Sequence, residues 1–210
     1  MKKESLRLYL VTDRMTAAGR NVRDVVAAAL KGGVTMVQIR EKDASARDII
    51  SLAQAVRELA APYGVPVVIN DRVDIAVAAG ADGVHLGRSD VPCDVARAIL
   101  GPDKIVGLTV ENLGQIFIAN ELNADYIGVS PVYATPTKTD TGCPFGLKDL
   151  ATAVEISTLP VVAIGGVNIE TAPDIIRCGV DGIAVVSAIM GAEDPCLAAS
   201  ELRKLWGNLN

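Results

Sequence analysis

Eight short runs of aliphatic, largely β-branched residues recur along the chain, separated by amphipathic stretches, and few folds can absorb such a pattern. The runs occupy residues 8–12, 36–40, 65–70, 83–87, 105–110, 126–131, 161–165 and 183–188. Most are nearly continuous rather than alternating in hydrophobicity, as strands buried on both faces must be. The intervening stretches carry apolar residues at helical spacing over residues 22–31, 46–61, 73–79, 95–100, 113–122, 146–157, 169–178 and 195–205. Asp43 or Ser45 can cap the second of these, and Asn112 the fifth. Strict alternation of strand and helix implies parallel strands joined by right-handed crossovers. Eight units in 210 residues, one per about 26 residues, favour closure into a single (β/α)8 barrel spanning residues 1–210 over an open sheet.

A tag recurs where helix turns into strand: Gly32-Gly33-Val34, Gly80-Ala81-Asp82-Gly83-Val84 and Gly179-Val180-Asp181-Gly182-Ile183. Glycine permits the tight turn out of a helix, so these tags belong to the face of the barrel that stabilises the fold rather than the face that does chemistry. Half the residues are hydrophobic and only 3% are aromatic, so the core must be built from Val, Ile, Leu and Ala. A net charge of −5 without a basic stripe excludes a nucleic-acid-binding surface. Cys93, Cys143, Cys178 and Cys196 have no metal-ligand spacing and read as reduced thiols of a cytoplasmic protein. The charged N-terminus and the short apolar run behind it make neither a secretion signal nor a membrane span. A homo-oligomer is compatible with all of this.

Chemistry in such a barrel gathers at the C-terminal ends of the strands, and polar residues collect there. The second strand runs into Gln38-Ile39-Arg40-Glu41-Lys42, where period-two alternation points Gln38, Arg40 and Lys42 the same way if the strand extends that far. An amide and two cations at one rim suit a phosphate group, although a solvated charged loop would read alike. Asn70-Asp71 follows the third strand, and Asp90 lies just beyond the fourth. Two carboxylates on neighbouring strand ends suit Mg2+ shared with substrate phosphate oxygens, or else Asp71 caps the helix starting at Val73. Thr109 offers a hydroxyl from the fifth strand. A polar loop over residues 130–142, long for this chain, carries Thr135, Thr137 and Lys138 and reads as a lid. Gly165-Gly166 and Val186-Ser187 sit where these barrels cradle phosphate with backbone N–H groups. The rim therefore offers one anion site of cations with a metal, and one of neutral backbone.

Taken together, Gln38 to Lys42, Ile69-Asn70-Asp71, His85-Leu86-Gly87 leading to Asp90, Thr135-Pro136-Thr137-Lys138, Ala163 to Gly166 and Val185-Val186-Ser187 resemble the thiamine-phosphate synthase family over essentially the whole chain. The resemblance implies two phosphorylated small-molecule substrates, an aminopyrimidine diphosphate and a thiazole phosphate, joined with release of diphosphate. It further implies Arg40, Lys42 and Lys138 as catalytic groups and Asp71 and Asp90 as ligands of one Mg2+. The implied substrate-binding residues are Gln38, Ile39, Arg40, Glu41, Lys42, Asn70 and Thr109, then Thr135, Pro136, Thr137, Lys138, Gly166, Val186 and Ser187. Within that set, Gln38 and Thr109 face the pyrimidine. Arg40, Lys42, Asn70 and Lys138 serve the diphosphate, and Thr135, Thr137, Gly166, Val186 and Ser187 the thiazole phosphate. This chain departs from the family in having Thr109 where Ser is more usual, and in residues 141–145.

The sole histidine, His85, stands inside a strand, and no Ser-His-Asp or Cys-His arrangement accompanies it. It reads as a hydrogen-bonded interior residue without a direct catalytic role, since a dissociative substitution needs no strong protein base. Two rivals share the barrel. A thiazole tautomerase-like isomerase would place a histidine after the fifth strand, where this chain has Thr109-Val110-Glu111-Asn112. A non-catalytic phosphate-binding barrel would not need Arg40, Lys42, Lys138, Asp71 and Asp90 together.

Overall fold

In the computed structural model, residues 1–134 and 143–208 are described. The elements alternate along the chain as β1 (Leu8–Val11), α1 (Val22–Lys31), β2 (Met36–Ile39), α2 (Ala46–Ala60), β3 (Val67–Asn70), α3 (Val73–Ala79), β4 (Gly83–Leu86), α4 (Cys93–Leu100), β5 (Ile105–Val110), α5 (Leu113–Asn120), β6 (Tyr126–Val129), α6 (Gly146–Ile156), β7 (Val161–Ile164), α7 (Ala172–Arg177), β8 (Gly182–Val185), α8 (Ser187–Met190) and α9 (Pro195–Asn208). All neighbouring strands pair in parallel, and β8 returns to β1, closing the barrel. The strand–helix alternation thus produces the (β/α)8 architecture that it predicts. Ser45 and Asn112 cap α2 and α5 by accepting from the backbone N–H of Asp48 and Gln115. No helix of the described residues is long and apolar enough to cross a membrane, and the four cysteines are free thiols.

Closure sorts the strand residues by parity. Leu10, Val37, Ile39, Ile69, Val84 and Ile183 face outward into the large core beneath the helices. Tyr9, Met36, Val68, Tyr126, Val162 and Ala184 face inward and form a separate core inside the barrel. The inner core is thin, so small residues set its dimensions. A Cβ on Gly107 would stand 2.2 Å from Cζ of Tyr126, so only glycine there admits that ring.

The glycine tags lie at the N-terminal face, and their polar residues have a structural task. Staggered parallel strands leave an N–H unpaired near the start of each strand. Asp82 accepts from Val67 N (2.8 Å), Asp125 from Val106 N (2.8 Å) and Asp181 from Val161 N (2.9 Å). Thr35 does the same for Leu8 N at 2.9 Å. Each of these residues immediately precedes a strand. The 3-10 turn Lys3–Leu6 then plugs the same mouth, with Leu6 fully buried in the inner core. The opposite mouth is thereby left as the open end.

Six strands end short of the sequence reading, and three of them shape the rim. β2 stops at Ile39 rather than Arg40, β6 stops at Val129, and β8 stops at Val185, after which the chain turns into α8 at Ser187. In each case the terminal residues leave the ladder to build the rim.

The plug makes a prediction. A Cβ on Gly182 would lie 1.9 Å from the Leu6 carbonyl oxygen, a backbone atom that cannot rotate away. Overpacking of this kind costs about 1–3 kcal/mol, so Gly182→Ala should lower the thermal midpoint by about 3 °C or more. An unchanged midpoint would show that the N-terminal turn does not pack as described.

Candidate active site

A cavity of about 880 Å3 opens at the C-terminal mouth. Its floor is the inner core and its walls are the strand ends and the loops that follow them. Gln38, Arg40 and Lys42 all line it, so the alternation continues past the end of β2. The same alternation keeps Ile39 and Glu41 out of the cavity wall. Ile39 is buried in the outer core. Glu41 instead turns between the β1 and β2 loops, where its carboxylate accepts from Thr12 Oγ1 at 2.9 Å. Thr12 Oγ1 in turn accepts from Arg40 N at 3.0 Å, and Arg14 Nε lies 3.6 Å from the second Glu41 oxygen. Burial pushes the Glu41 carboxyl up, against its hydrogen bond to Thr12 and the Arg14 charge. Its place in the structure is therefore to hold the backbone that aims Arg40.

Asn70, Asp71 and Asp90 line the same side of the cavity. Asp71 adopts φ +64°, a left-handed conformation rare outside glycine that costs on the order of 1 kcal/mol. It does not cap α3, whose N-cap is Arg72 with no side-chain cap. The kink instead brings Asp71 against Asp90, and its own N–H donates to the His85 carbonyl at 2.8 Å. Asp90 is fixed separately, with one carboxylate oxygen accepting from Gly87 N at 2.6 Å. The Asp71 carboxyl is raised from the ordinary 3.8 to about 6, first by burial and then by Asp90, against the opposing charges of Lys42 and Arg40. Two carboxylates pressed together in this way form an anionic pair beside two cations. Among the described residues, no group of three or more His, Cys, Asp or Glu forms a ready-made metal cage.

The opposite wall is neutral. Gly165 and Gly166 have φ +99° and +70°, and a Cβ on either would strike Pro131 or Tyr133 at 2.6–2.7 Å. Both positions therefore demand glycine. Thr171 Oγ1 donates to the Gly166 carbonyl at 2.9 Å and holds this loop in shape. Val186 and Ser187 line the adjoining edge, where α8 begins. Arg20 fastens the far end of α8 by donating to the carbonyls of Met190 and Ala192.

Across the floor runs a chain of side-chain hydrogen bonds. Gln38 Nε2 lies 2.6 Å from Tyr9 Oη, and Tyr9 Oη lies 2.9 Å from Tyr126 Oη. His85 Nδ1 is 2.9 Å from Tyr126 Oη, and His85 Nε2 is 2.8 Å from Thr109 Oγ1. Thr109 and Gln38 are the two ends of this chain, and all five residues line the cavity. The sequence reading expected His85 to be hydrogen-bonded and reached Gln38 and Thr109, but it missed Tyr9 and Tyr126. Their inward parity within β1 and β6 was the available signal. Asn168 and Thr171 also line the cavity and were likewise not singled out, because loop geometry alone brings them there. Thr135, Pro136, Thr137 and Lys138 lie outside the described residues.

A closed parallel barrel whose single open mouth gathers cations, carboxylates and a glycine turn around one cavity has the architecture of a (β/α)8 enzyme. Comparison with known proteins narrows this. Residues 8–189 match the thiamine monophosphate synthase family. The thiamine-phosphate synthase of Albidiferax ferrireducens is 52% identical over 205 residues, covering 98% of this chain and 94% of that protein. The thiamine-phosphate synthase of Vibrio campbellii is 51% identical over 195 residues, covering 93% and 95%. Thiamine phosphate pyrophosphorylase from Pyrococcus furiosus superposes with a TM-score of 0.90 at 39% identity, covering 99% of this chain and 98% of that one. The chain belongs to the thiamine monophosphate synthase family.

The carboxylate pair yields a titration prediction. The folded Asp71 carboxyl titrates near pH 6 and an unfolded one near 3.8. The folded state alone holds the proton between those values, so metal-free protein loses stability as the pH rises through that window. Asp71 followed by NMR should show a midpoint near 6, and Asp90→Asn should lower it without restoring the ordinary value, because burial is the larger cause. A midpoint near 3.8 in the wild-type protein would contradict the described pair.

Proposed function

We propose that this protein joins 4-amino-2-methyl-5-(diphosphooxymethyl)pyrimidine to 4-methyl-5-(2-phosphooxyethyl)thiazole, giving thiamine phosphate and diphosphate. The observation that carries this reading is the pairing of two unlike anion sites over one polar floor. A diphosphate needs compensating charge, which Arg40 and Lys42 offer beside the acidic pair, with the neutral Asn70 amide as an added hydrogen-bond donor. A monophosphate needs only a shaped set of N–H donors, which the Gly165–Gly166 turn and the start of α8 can offer.

In this reading Gln38 and Thr109 receive the pyrimidine, Arg40, Lys42 and Asn70 grip its diphosphate, and Gly166, Val186 and Ser187 hold the thiazole phosphate. The family resemblance assigns Thr135 and Thr137 to the thiazole phosphate and Lys138 to the diphosphate. The bond between the pyrimidine methylene carbon and the diphosphate oxygen breaks, with its electron pair leaving on diphosphate. The electron-rich aminopyrimidine stabilises the methylene cation, and the thiazole nitrogen closes on that carbon with its own lone pair. No proton needs to move, which agrees with a floor whose single histidine is bonded through both ring nitrogens. The protein's contribution is orientation and stabilisation of the departing charge.

Asp71 and Asp90 suit one Mg2+. Their oxygens are hard donors, their mutual repulsion is relieved by a cation, and two carboxylates leave positions for water and diphosphate oxygens. Bound there, the ion would neutralise part of the charge developing on the leaving group. Three cations and this ion against two carboxylates leave a charge that roughly balances a bound diphosphate ester. The substrates are small and polar, which fits a cytoplasmic enzyme with no nucleic-acid partner and no membrane partner.

Purified protein given both substrates and Mg2+ should form thiamine phosphate and should fail when Mg2+ is chelated. Absence of product under these conditions would end this reading. Arg40→Ala and Asp71→Asn should fold normally and lose on the order of 10²–10³ in rate. Asparagine is chosen because it tolerates the left-handed backbone. Near-wild-type turnover in either variant would remove that residue from the diphosphate site.

A further inference from the structure

The hydrogen-bond chain beneath the cavity has more order than orientation of a ring requires. Each interior member carries a single mobile proton. Tyr9 and Tyr126 have one hydroxyl proton each, and an imidazole in its neutral form has one ring proton. Burial raises both phenols well above their ordinary titration range, so both stay protonated. Suppose Gln38 donates its amide N–H to Tyr9. Then Tyr9 must donate to Tyr126, and Tyr126 to Nδ1 of His85. Nε2 then carries the ring proton and donates to Thr109. The Thr109 hydroxyl is left to donate into the cavity, and Gln38 is left with its carbonyl oxygen to accept. The opposite polarity requires the Gln38 amide to turn so that Oε1 accepts from Tyr9, after which every other bond reverses and the two ends exchange roles.

From this geometry we infer that Tyr9, Tyr126 and His85 are positioning residues that lock the hydrogen-bonding polarity of Gln38 to that of Thr109, so that the floor always presents one donor and one acceptor to the aminopyrimidine ring. The ring has matching chemistry, with an exocyclic amine that donates and ring nitrogens that accept. This inference rests on the reading that Gln38 and Thr109 receive the pyrimidine. The packing supports a built device. Gly107 leaves the space that the Tyr126 ring occupies. His85 stacks on Tyr126 with centroids 5.5 Å apart, and Tyr9 meets Tyr126 edge-on at 6.0 Å. At Gly128, a Cβ would come within 3.2 Å of the His85 ring. The bond lengths of 2.6–2.9 Å leave no missing link. A floor meant only to fill volume would not need four phenol and imidazole contacts in unbroken series inside an otherwise apolar layer.

The test is a mutant cycle read by calorimetric binding of the pyrimidine diphosphate to Mg2+-loaded enzyme without the thiazole. Tyr126→Phe and Tyr9→Phe keep the rings and cut the chain. Each should weaken pyrimidine binding about tenfold, the effect of leaving one buried partner unsatisfied, while KM for thiazole phosphate moves less than about twofold. In the Tyr126→Phe background, the non-additivity between Gln38→Ala and Thr109→Val should fall relative to the wild-type background. Thr109→Ser, which keeps the hydroxyl, should preserve it. If the tyrosine variants lower only the melting temperature, or the coupling persists unchanged in Tyr126→Phe, the inference is wrong and the pyrimidine seat stands. Should Gln38→Ala and Thr109→Val themselves leave binding intact, the seat fails and the inference falls with it.

Discussion

Closing eight parallel strands on themselves forces each strand to divide its side chains between an outer core and an inner one, and nearly everything else in this molecule depends on that division. The outer parity is free to be uniformly aliphatic because helices cover it. The inner parity converges on the barrel axis, so it tolerates few large groups. Here it resolves the crowding by layers. Leu6, Met36 and Ile105 fill the base, the phenols of Tyr9 and Tyr126 cross the middle, and polar residues take the open end. Gly107 matters because one added methyl would evict Tyr126 and with it the floor of the cavity.

The two mouths of the barrel divide stability from chemistry by the same logic. At the N-terminal mouth, carboxylates are placed on strand N–H groups, as with Asp82 on Val67 and Asp181 on Val161. These acids are satisfied. At the C-terminal mouth, Asp71 and Asp90 are set against each other, and a left-handed residue is accepted to bring them together. The contrast is physically informative. The acids at the closed mouth are neutralised by backbone N–H groups, whereas at the open mouth burial and the neighbouring Asp90 raise the Asp71 carboxyl. Glu41 shows that the distinction is not made by sequence position alone, for it sits between two cavity cations and yet serves the frame.

Much of this was legible beforehand. Strand and helix periodicity is a local property, so the eight units and their order could be read directly, and the clustering of Gln38, Arg40 and Lys42 followed from a period of two. That same rule removes Ile39 and Glu41 from the cavity once the strand is known to keep its alternation beyond Ile39. The tyrosines escaped notice because an isolated Tyr in an apolar run is ordinary. Their meaning comes from Tyr9 and Tyr126, 117 residues apart in sequence, meeting oxygen to oxygen. Ser187 read as the end of a strand but begins α8, because the chain must turn off the ladder to edge the cavity.

The sequence by itself determined the alternation of elements, the composition of both cores and the identity of the polar groups delivered to one end of the barrel, since each follows from short-range periodicity and residue chemistry. Tertiary structure alone decided which polar groups meet. It placed Asp71 against Asp90, joined Gln38 to Thr109 through three intermediaries and diverted Glu41 to Thr12. The physical reason is closure: register around a barrel sets distances between residues from different strands, and no local pattern encodes a distance that only the complete circuit defines.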